Sequence, residues 1–430
     1  MKMMKLAAGI AATLAVAAPA MAQDLHFPML SYRTGAYAPG GIPFADGYHD
    51  YMTLLNERDG GIGGLPIRVS ECETAYNTER GVECYESVRA DNPLVIQPLS
   101  TGITYQLIPR VTQDGIPMHT MGYGRTSAME GGTFPWVFNY PANYWDGASV
   151  AINYMLSQNE GSLEGKKIVL VYHNSAYGRE PIRTLEILAE RMGFTFLLIA
   201  VDHPGQEQGS QWLQIRRERP DYVMMYGWGV MNAVAIQEAA NIRFPMDHFI
   251  GIWWSGSEND VLPVGAGADG YTALTFHGVG TDYPVYADLQ EYVIGRGLAA
   301  GAGDQVGSAV YSRGMYAAML AAEAARTAQE LAGHAQISTA EMRDGMEALV
   351  ITEERLTELG LPGFSAPFNV SCGNHGGSGA AMLQQWDADS GTWSLITDWI
   401  ASDRDLVREL AVEDAAAFAA ENNITSNCDM

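Results

Sequence analysis

The stretch Lys166 to Gly193, KKIVLVYHNSAYGREPIRTLEILAERMG, most narrows what the chain can become. Ile168 to Tyr172 is a short apolar run with β-branched Ile168, Val169 and Val171. That composition suits a strand covered on both faces. A polar loop follows, His173-Asn174-Ser175-Ala176, ending in Tyr177-Gly178. From about Arg179 the apolar spacing changes: Ile182, Leu185, Leu188 and Met192 mark one helix face, and Gly193 stands where a helix stop belongs. In a parallel sheet this loop lies at the carboxyl end of a strand, the usual ligand position in open α/β folds. The plain alternative is an ordinary βα loop with a packed tyrosine.

The same unit recurs along the chain. Leu25–Ser31 reads as a first strand, followed by the Gly-rich loop 34–41 and a helix from Phe44 to Arg58. Ile67–Ser70, Leu94–Pro98 and Ile116–Met121 read as further strands, with helices at Thr78–Ala90 and Gln106–Gln113 between them. Small or hydroxyl residues follow three of these strands and would let a ligand approach backbone N–H groups. Phe134–Tyr144 breaks the rhythm with two prolines and reads as a crossover; a helix from about Trp145 to Gln158 leads into a second series. Its strands are Ile168–Tyr172, Thr195–Val201, Tyr222–Tyr226 and His248–Trp253, and their ends carry Tyr177, Trp228, Trp253 and Trp254. Tyr271–Phe276 follows as a strand, then a long Ala-rich helix over Ser308–Leu331 and another over Thr339–Leu349. Phe368–Ser371, Ala381–Trp386 and Thr392–Trp399 read as strands, the last two joined by the turn Asp387–Gly391; the tail begins as a helix at Leu406. The alternation predicts α/β architecture with parallel sheets and right-handed crossovers.

Residues 1–22 read as a secretory signal. Lys2 and Lys5 form its positive end, Leu6 to Ala18 an apolar core too short to span a membrane, and Ala20-Met21-Ala22 the cleavage site. The mature chain is long enough for two domains. The whole chain has 25 Lys and Arg against 50 Asp and Glu, and so acidic a surface repels nucleic acid and anionic lipid. In an exported protein, the even set Cys72, Cys84, Cys372 and Cys428 argues for two disulfides. Of three connectivities, the most local, Cys72–Cys84 with Cys372–Cys428, is favoured. Metal-ligand spacing, a phosphate loop, a G-x-S-x-G elbow and an acid–base carboxylate pair are all absent from the sequence. His375 has hairpin surroundings and reads as structural. Neither catalysis nor a cofactor is expected.

With these features assembled, the chain resembles the periplasmic solute-binding proteins of ABC importers, and most closely the branched-chain amino acid (Leu/Ile/Val-binding) family. Leu55 to Gly64 (LNERDGGIGG) is close to that family's N-E-x-G-G-I-x-G turn. Pro141-x-Asn143-x-x-Asp146-Gly147, Tyr177-Gly178, Arg219-Pro220-Asp221-Tyr222-Val223 and Asn374-His375-Gly376 stand in the order of the family's other motifs. The resemblance implies two Rossmann-like lobes joined by a three-segment hinge, the type I periplasmic binding protein architecture. Lobe one would span 24–140 plus 278–365, and lobe two 141–277 plus 366–430. It also implies that Cys72–Cys84 sits where many relatives carry a disulfide. Carried over by position, Ser100, Thr101 and Gly102 would meet the ligand from strand three and Met121, Gly122 and Tyr123 from strand four. Tyr177, Trp228, Trp253 and Trp254 would close over it, and Glu258 stands near the position that relatives use for a substrate ammonium. For each tryptophan the alternative is core packing.

The aromatic residues exceed what a small aliphatic amino acid requires. They suit an aromatic acid by stacking or a cationic ligand by cation–π contact. Arg125 is placed to pair with a ligand carboxylate or to be solvated. The expectation is a monomeric periplasmic receptor that delivers a small solute, an amino acid or related carboxylate, to the membrane permease subunits of an ABC importer. An exported ligand sensor that signals through a membrane partner is the second possibility, and an exported hydrolase a third.

Overall fold

The computed structural model describes residues 24–428. The signal segment 1–22 lies outside the described residues. The first half contains β1 (Leu25–Ser31), α1 (Ala38–Asp59), β2 (Ile67–Glu73), α2 (Thr78–Val88), α3 (Thr101–Asp114), β3 (Met118–His119) and β4 (Val137–Phe138). The chain then forms α4 (Tyr144–Gln158), β5 (Lys167–His173), α5 (Ala176–Arg179), α6 (Ile182–Met192), β6 (Thr195–Val201), α7 (Gly209–Glu218), β7 (Tyr222–Tyr226), α8 (Val230–Asn241), β8 (Phe249–Gly251), α9 (Glu258–Val261) and β9 (Thr272–Thr275). It returns to the first half as α10 (Pro284–Tyr292), α11 (Ala309–Ala332), α12 (Thr339–Glu347), β10 (Val350–Ile351) and α13 (Glu353–Glu358). It ends with β11 (Phe368–Asn369), β12 (Ala380–Asp387), β13 (Thr392–Leu395), β14 (Ile400–Ala401) and α14 (Arg404–Asn422).

β1 is buried along its whole length and pairs with β2 in parallel. The third expected strand is an extended segment joined to β1 and β3 by isolated bridges, among them Met29–Gln97 and Ile96–Met118. Pro93 and Pro98 bracket it and donate no ladder hydrogen bond, which shortens the pairing. The expected fourth strand contracts for the same reason: β3 starts only after Pro117. The second sheet runs β13-β12-β9-β8-β7-β5-β6. β5 to β9 are parallel, as expected, but β12 and β13 are antiparallel, so the sheet is mixed. β12 is entered through the irregular segment 370–379 and not through a helical crossover, and the right-handed parallel rule does not govern it.

α1 begins at Ala38, well before the expected Phe44. Pro39 is well tolerated in the first turn of a helix, so the Gly-rich loop is drawn into it. Pro43 has no N–H to return to Pro39 O. Asn259 Nδ2 donates to that carbonyl at 2.7 Å, a contact from α9 across to α1. Cys72–Cys84 ties β2 to α2, and Cys372–Cys428 fastens the segment after α14. α14 touches both halves: Arg183 pairs with Glu413, while Phe418 packs on Phe134 with ring centroids 4.8 Å apart. His375 is buried, donates from Nδ1 to Val137 O (2.8 Å) and stacks on Phe138 at 4.0 Å, a structural role.

α1 and α11 cross where both carry glycine. A Cβ on Gly47 would lie 2.0 Å from Tyr311 O, and one on Gly314 2.0 Å from Phe44 O. Gly314→Ala forces the helices apart and is expected to cost about 1–3 kcal/mol, as overpacking does. Urea denaturation of the variant against the parent measures it.

Candidate functional site

Parallel strands end on a common rim, and the loops beyond β1, β2, the 93–97 segment, β5, β7 and β8 converge there. They form a narrow cavity lined by Tyr32, Tyr76, Leu99, Ser100, Thr101, Tyr123, Tyr144, Tyr177, Trp228 and Trp254. Both halves of the molecule contribute walls. The rings meet edge to face or tilted: Tyr32–Tyr76 at 4.9 Å, Tyr144–Tyr177 at 5.1 Å and Trp228–Trp254 at 5.2 Å between centroids.

Hydrogen bonds fix the rings. Trp228 Nε1 donates to Tyr32 Oη at 2.9 Å, Tyr177 Oη to Gly227 O at 2.9 Å, and Trp254 Nε1 to Gly122 O at 2.9 Å. Leu99 N donates to Tyr123 Oη at 2.8 Å. These polar atoms are engaged within the protein, so the cavity is walled largely by ring faces. Polar character comes from Ser100 and Thr101. Ser100 caps α3, its Oγ accepting from Ile103 N at 3.4 Å, and the positive end of the α3 dipole therefore points at this wall.

Of the residues singled out in the sequence, Ser100, Thr101, Tyr123, Tyr177, Trp228 and Trp254 line the cavity. Gly102 lines a neighbouring pocket with Tyr37, Thr78, His173 and His203, which shares Tyr76, Ser100 and Tyr177 with the cavity. Met121 is buried in the core, and Gly122 offers its carbonyl to both indoles instead of to the cavity. Trp253 lies outside it, stacked on Tyr144 with planes 9° apart. The reason is local: Trp253–Ser255 is a 3-10 turn, which swings neighbouring side chains apart by about 120°. Glu258 is also outside; its carboxylate accepts from Ala309 N at 2.9 Å and closes the first turn of α11. Arg125 is neither solvated nor in the cavity. It pairs with Asp414 at 2.5 Å and lies over Phe418 at 4.6 Å. Sequence reasoning missed Tyr32, Tyr76, Leu99 and Tyr144. Tyr32 directly follows β1, and the rule that ligands gather beyond the carboxyl ends of strands would have found it.

The cleft is held shut by bonds from one side to the other. Besides Trp228–Tyr32 and the two indoles on Gly122, Val230 N donates to Ala36 O at 3.1 Å. The half-buried Glu180 carboxyl accepts from Tyr105 Oη and from Thr126 N. Tyr37 Oη and His173 Nε2 share a hydrogen bond at 2.8 Å, and the His203 ring stacks on that of His173 with centroids 5.2 Å apart. Among the described residues, no group of three or more His, Cys, Asp or Glu side chains is placed to hold a metal ion.

Burial, then the neighbouring His203, lowers the His173 pKa from 6.5 to about 4. The unfolded chain therefore takes up the proton first. The stability gained from a neutral buried ring is full above pH 6.5 and is lost as the pH falls towards about 4. Relative to His173→Gln, the parent is expected to lose up to ~3 kcal/mol over that range. Thermal melting of both proteins across the range measures the difference.

Residues 24–392 match the family described as periplasmic binding protein. A solved structure named as an ABC transporter permease from the Pseudomonas fluorescens group is 41% identical, with a TM-score of 0.87 over 95% of this chain and 99% of that one. A branched-chain amino acid ABC transporter from Thermus thermophilus with bound valine shares the fold at 19% identity and TM-score 0.75, over 90% of this chain and 98% of that one. An ABC transporter solute-binding protein from R. palustris in complex with benzoate does so at 17% and 0.68, over 89% and 98%. Comparison with curated proteins finds no match. The matched span, the fold and the shared identity together show that the chain belongs to the periplasmic binding protein family, with the type I architecture.

Proposed function

We propose that this chain is the substrate-binding receptor of an ABC importer, exported to the periplasm, and that it captures a small solute in the ring-lined cavity. The solute is an amino acid or a related carboxylate, aromatic bodies included. Lobe one is 24–140 with 278–365, lobe two is 141–277 with 366–430, and the three crossings form the hinge. The observation that carries the reading is a cavity walled by tyrosine and tryptophan from both sides of the cleft, with the N-terminus of α3 at one wall. Opening the hinge separates Tyr32, Tyr76 and Tyr123 from Tyr144, Tyr177, Trp228 and Trp254. Only the closed form surrounds a ligand, so ligand shifts the population towards closure and gives a permease a shape to recognise. A carboxylate at α3 receives N–H and hydroxyl donors, and an apolar or aromatic body fills the space between rings. The chain acts by binding and not by catalysis. Two of the solved relatives fit this range of solutes, one with valine and one with benzoate.

The test is native mass spectrometry of the purified protein, followed by thermal shift with amino acids and small carboxylates. A true ligand at a hundredfold excess over Kd is expected to add roughly 3 kcal/mol of apparent stability. Tyr177→Ala and Trp228→Ala are expected to weaken its binding by about tenfold or more, as loss of a central aromatic anchor does. A flat screen without any co-purified mass overturns the reading.

A further inference from the structure

Arg313 lies on the second turn of α11 and is wholly buried. A buried arginine ordinarily has an ion-pair partner. Here Nη1 donates to Trp253 O at 2.5 Å, while Nε and Nη2 have no hydrogen-bond partner among the described residues. The guanidinium carbon lies 5.0 Å from the Trp254 ring centroid and 5.2 Å from that of Phe276. Trp254 is a wall of the cavity and Arg313 is not, so the charge stands one indole away from the ligand space.

The acidic groups nearest to it are engaged elsewhere. Glu258 accepts from Ala309 N, and Asp260 from Ser257 N, Ser257 Oγ and Asn232 Nδ2. Burial raises both carboxyl pKa values, that of Asp260 to about 7. Burial lowers the Arg313 pKa only to about 9, which leaves it charged at neutral pH. No Asp, Glu, Lys, Arg or His side chain lines the cavity itself. The positive influences that reach it are Arg313, through Trp254, and the α3 N-terminus beside Ser100 and Thr101, while Glu258 and Asp260 lie on the far side of the wall, engaged with Ala309, Ser257 and Asn232.

We infer that Arg313 is a specificity residue: it restricts the cavity to carboxylates that carry no ammonium group, and excludes cations and zwitterionic amino acids of equal size. The inference rests on the reading of the cavity as the solute site. A cationic ligand on Trp254 would compete with Arg313 for the negative charge of the same ring. A ligand ammonium would find no carboxylate, because Glu258 is turned into α11. A carboxylate gains from both positive groups through a medium that screens them weakly.

The test is calorimetric titration of the intact protein with matched ligands: benzoate, benzamide, benzylammonium and phenylalanine, then isovalerate, isobutylammonium and leucine for an aliphatic body. The carboxylate of at least one set is expected to bind about tenfold or more tighter than its cation and its amino acid. Arg313→Met is expected to cost that carboxylate about tenfold while moving a neutral amide by less than about threefold. Arg313→Lys keeps the charge and is expected to keep the preference, and it decides the matter together with the parent panel if the Met variant does not fold. A cation or amino acid that binds as tightly as its carboxylate overturns the inference and leaves the receptor reading standing. So does undiminished carboxylate binding by a folded Met variant. No binding by any member overturns the receptor reading and the inference with it.

Discussion

The indole N–H groups of Trp253 and Trp254 both end on one acceptor, the carbonyl of Gly122, at 2.7 and 2.9 Å. The two donors come from the loop after β8 and the acceptor from the loop after β3, so the bonds run across the cleft. Gly122 has φ +70, and a Cβ there would lie 2.6 Å from the Phe276 ring. Only glycine lets the carbonyl turn to the indoles at that distance. Much of the site depends on this convergence. It sets Trp253 against Tyr144 and aims the face of Trp254 into the cavity. Through Trp253 O it also holds Arg313 beneath Trp254.

The site follows a consistent economy of polar groups. The hydrogen-bonding atoms of Trp228, Trp254, Tyr123 and Tyr177 are all used to fix ring positions. What faces the cavity is then aromatic surface, rigid and poorly hydrated. Charge is supplied from behind it, by a buried guanidinium and a helix end. A buried charge acts further here than it would in water, because the intervening medium is a buried indole. The same bonds that orient the rings also join the two halves, so ring geometry and cleft closure are coupled.

The fold was largely legible in the chain. The alternation of β-branched runs with helical spacing located every long strand, because both periods are properties of local sequence. Strand ends beside Pro93, Pro98 and Pro117 were less legible, since ladder pairing depends on a neighbour as well as on propensity. The start of α1 was missed because two glycines and two prolines resemble a loop, yet Asn259 compensates the carbonyl that Pro43 leaves unpaired. At the site, Tyr177 and Trp228 were placed by position after a strand. Trp253 and Glu258 lie outside the cavity, Trp253 through the 3-10 turn that separates it from Trp254 and Glu258 through its bond to Ala309 N.

Sequence by itself determined the α/β class, the order of the strands, the loops that gather at one rim and the residues that carry the family likeness. These follow from local periodicity and from motifs read in order. Tertiary structure alone decided which rings share the cavity, that Arg125 and Glu258 serve packing, and that Arg313 stands behind Trp254. Arg313 lies on the second turn of an Ala-rich helix, where nothing in its neighbours marks it. Its role arises only when α11 is laid beside a loop some 60 residues earlier, because contact between distant segments is fixed by packing and not by sequence spacing.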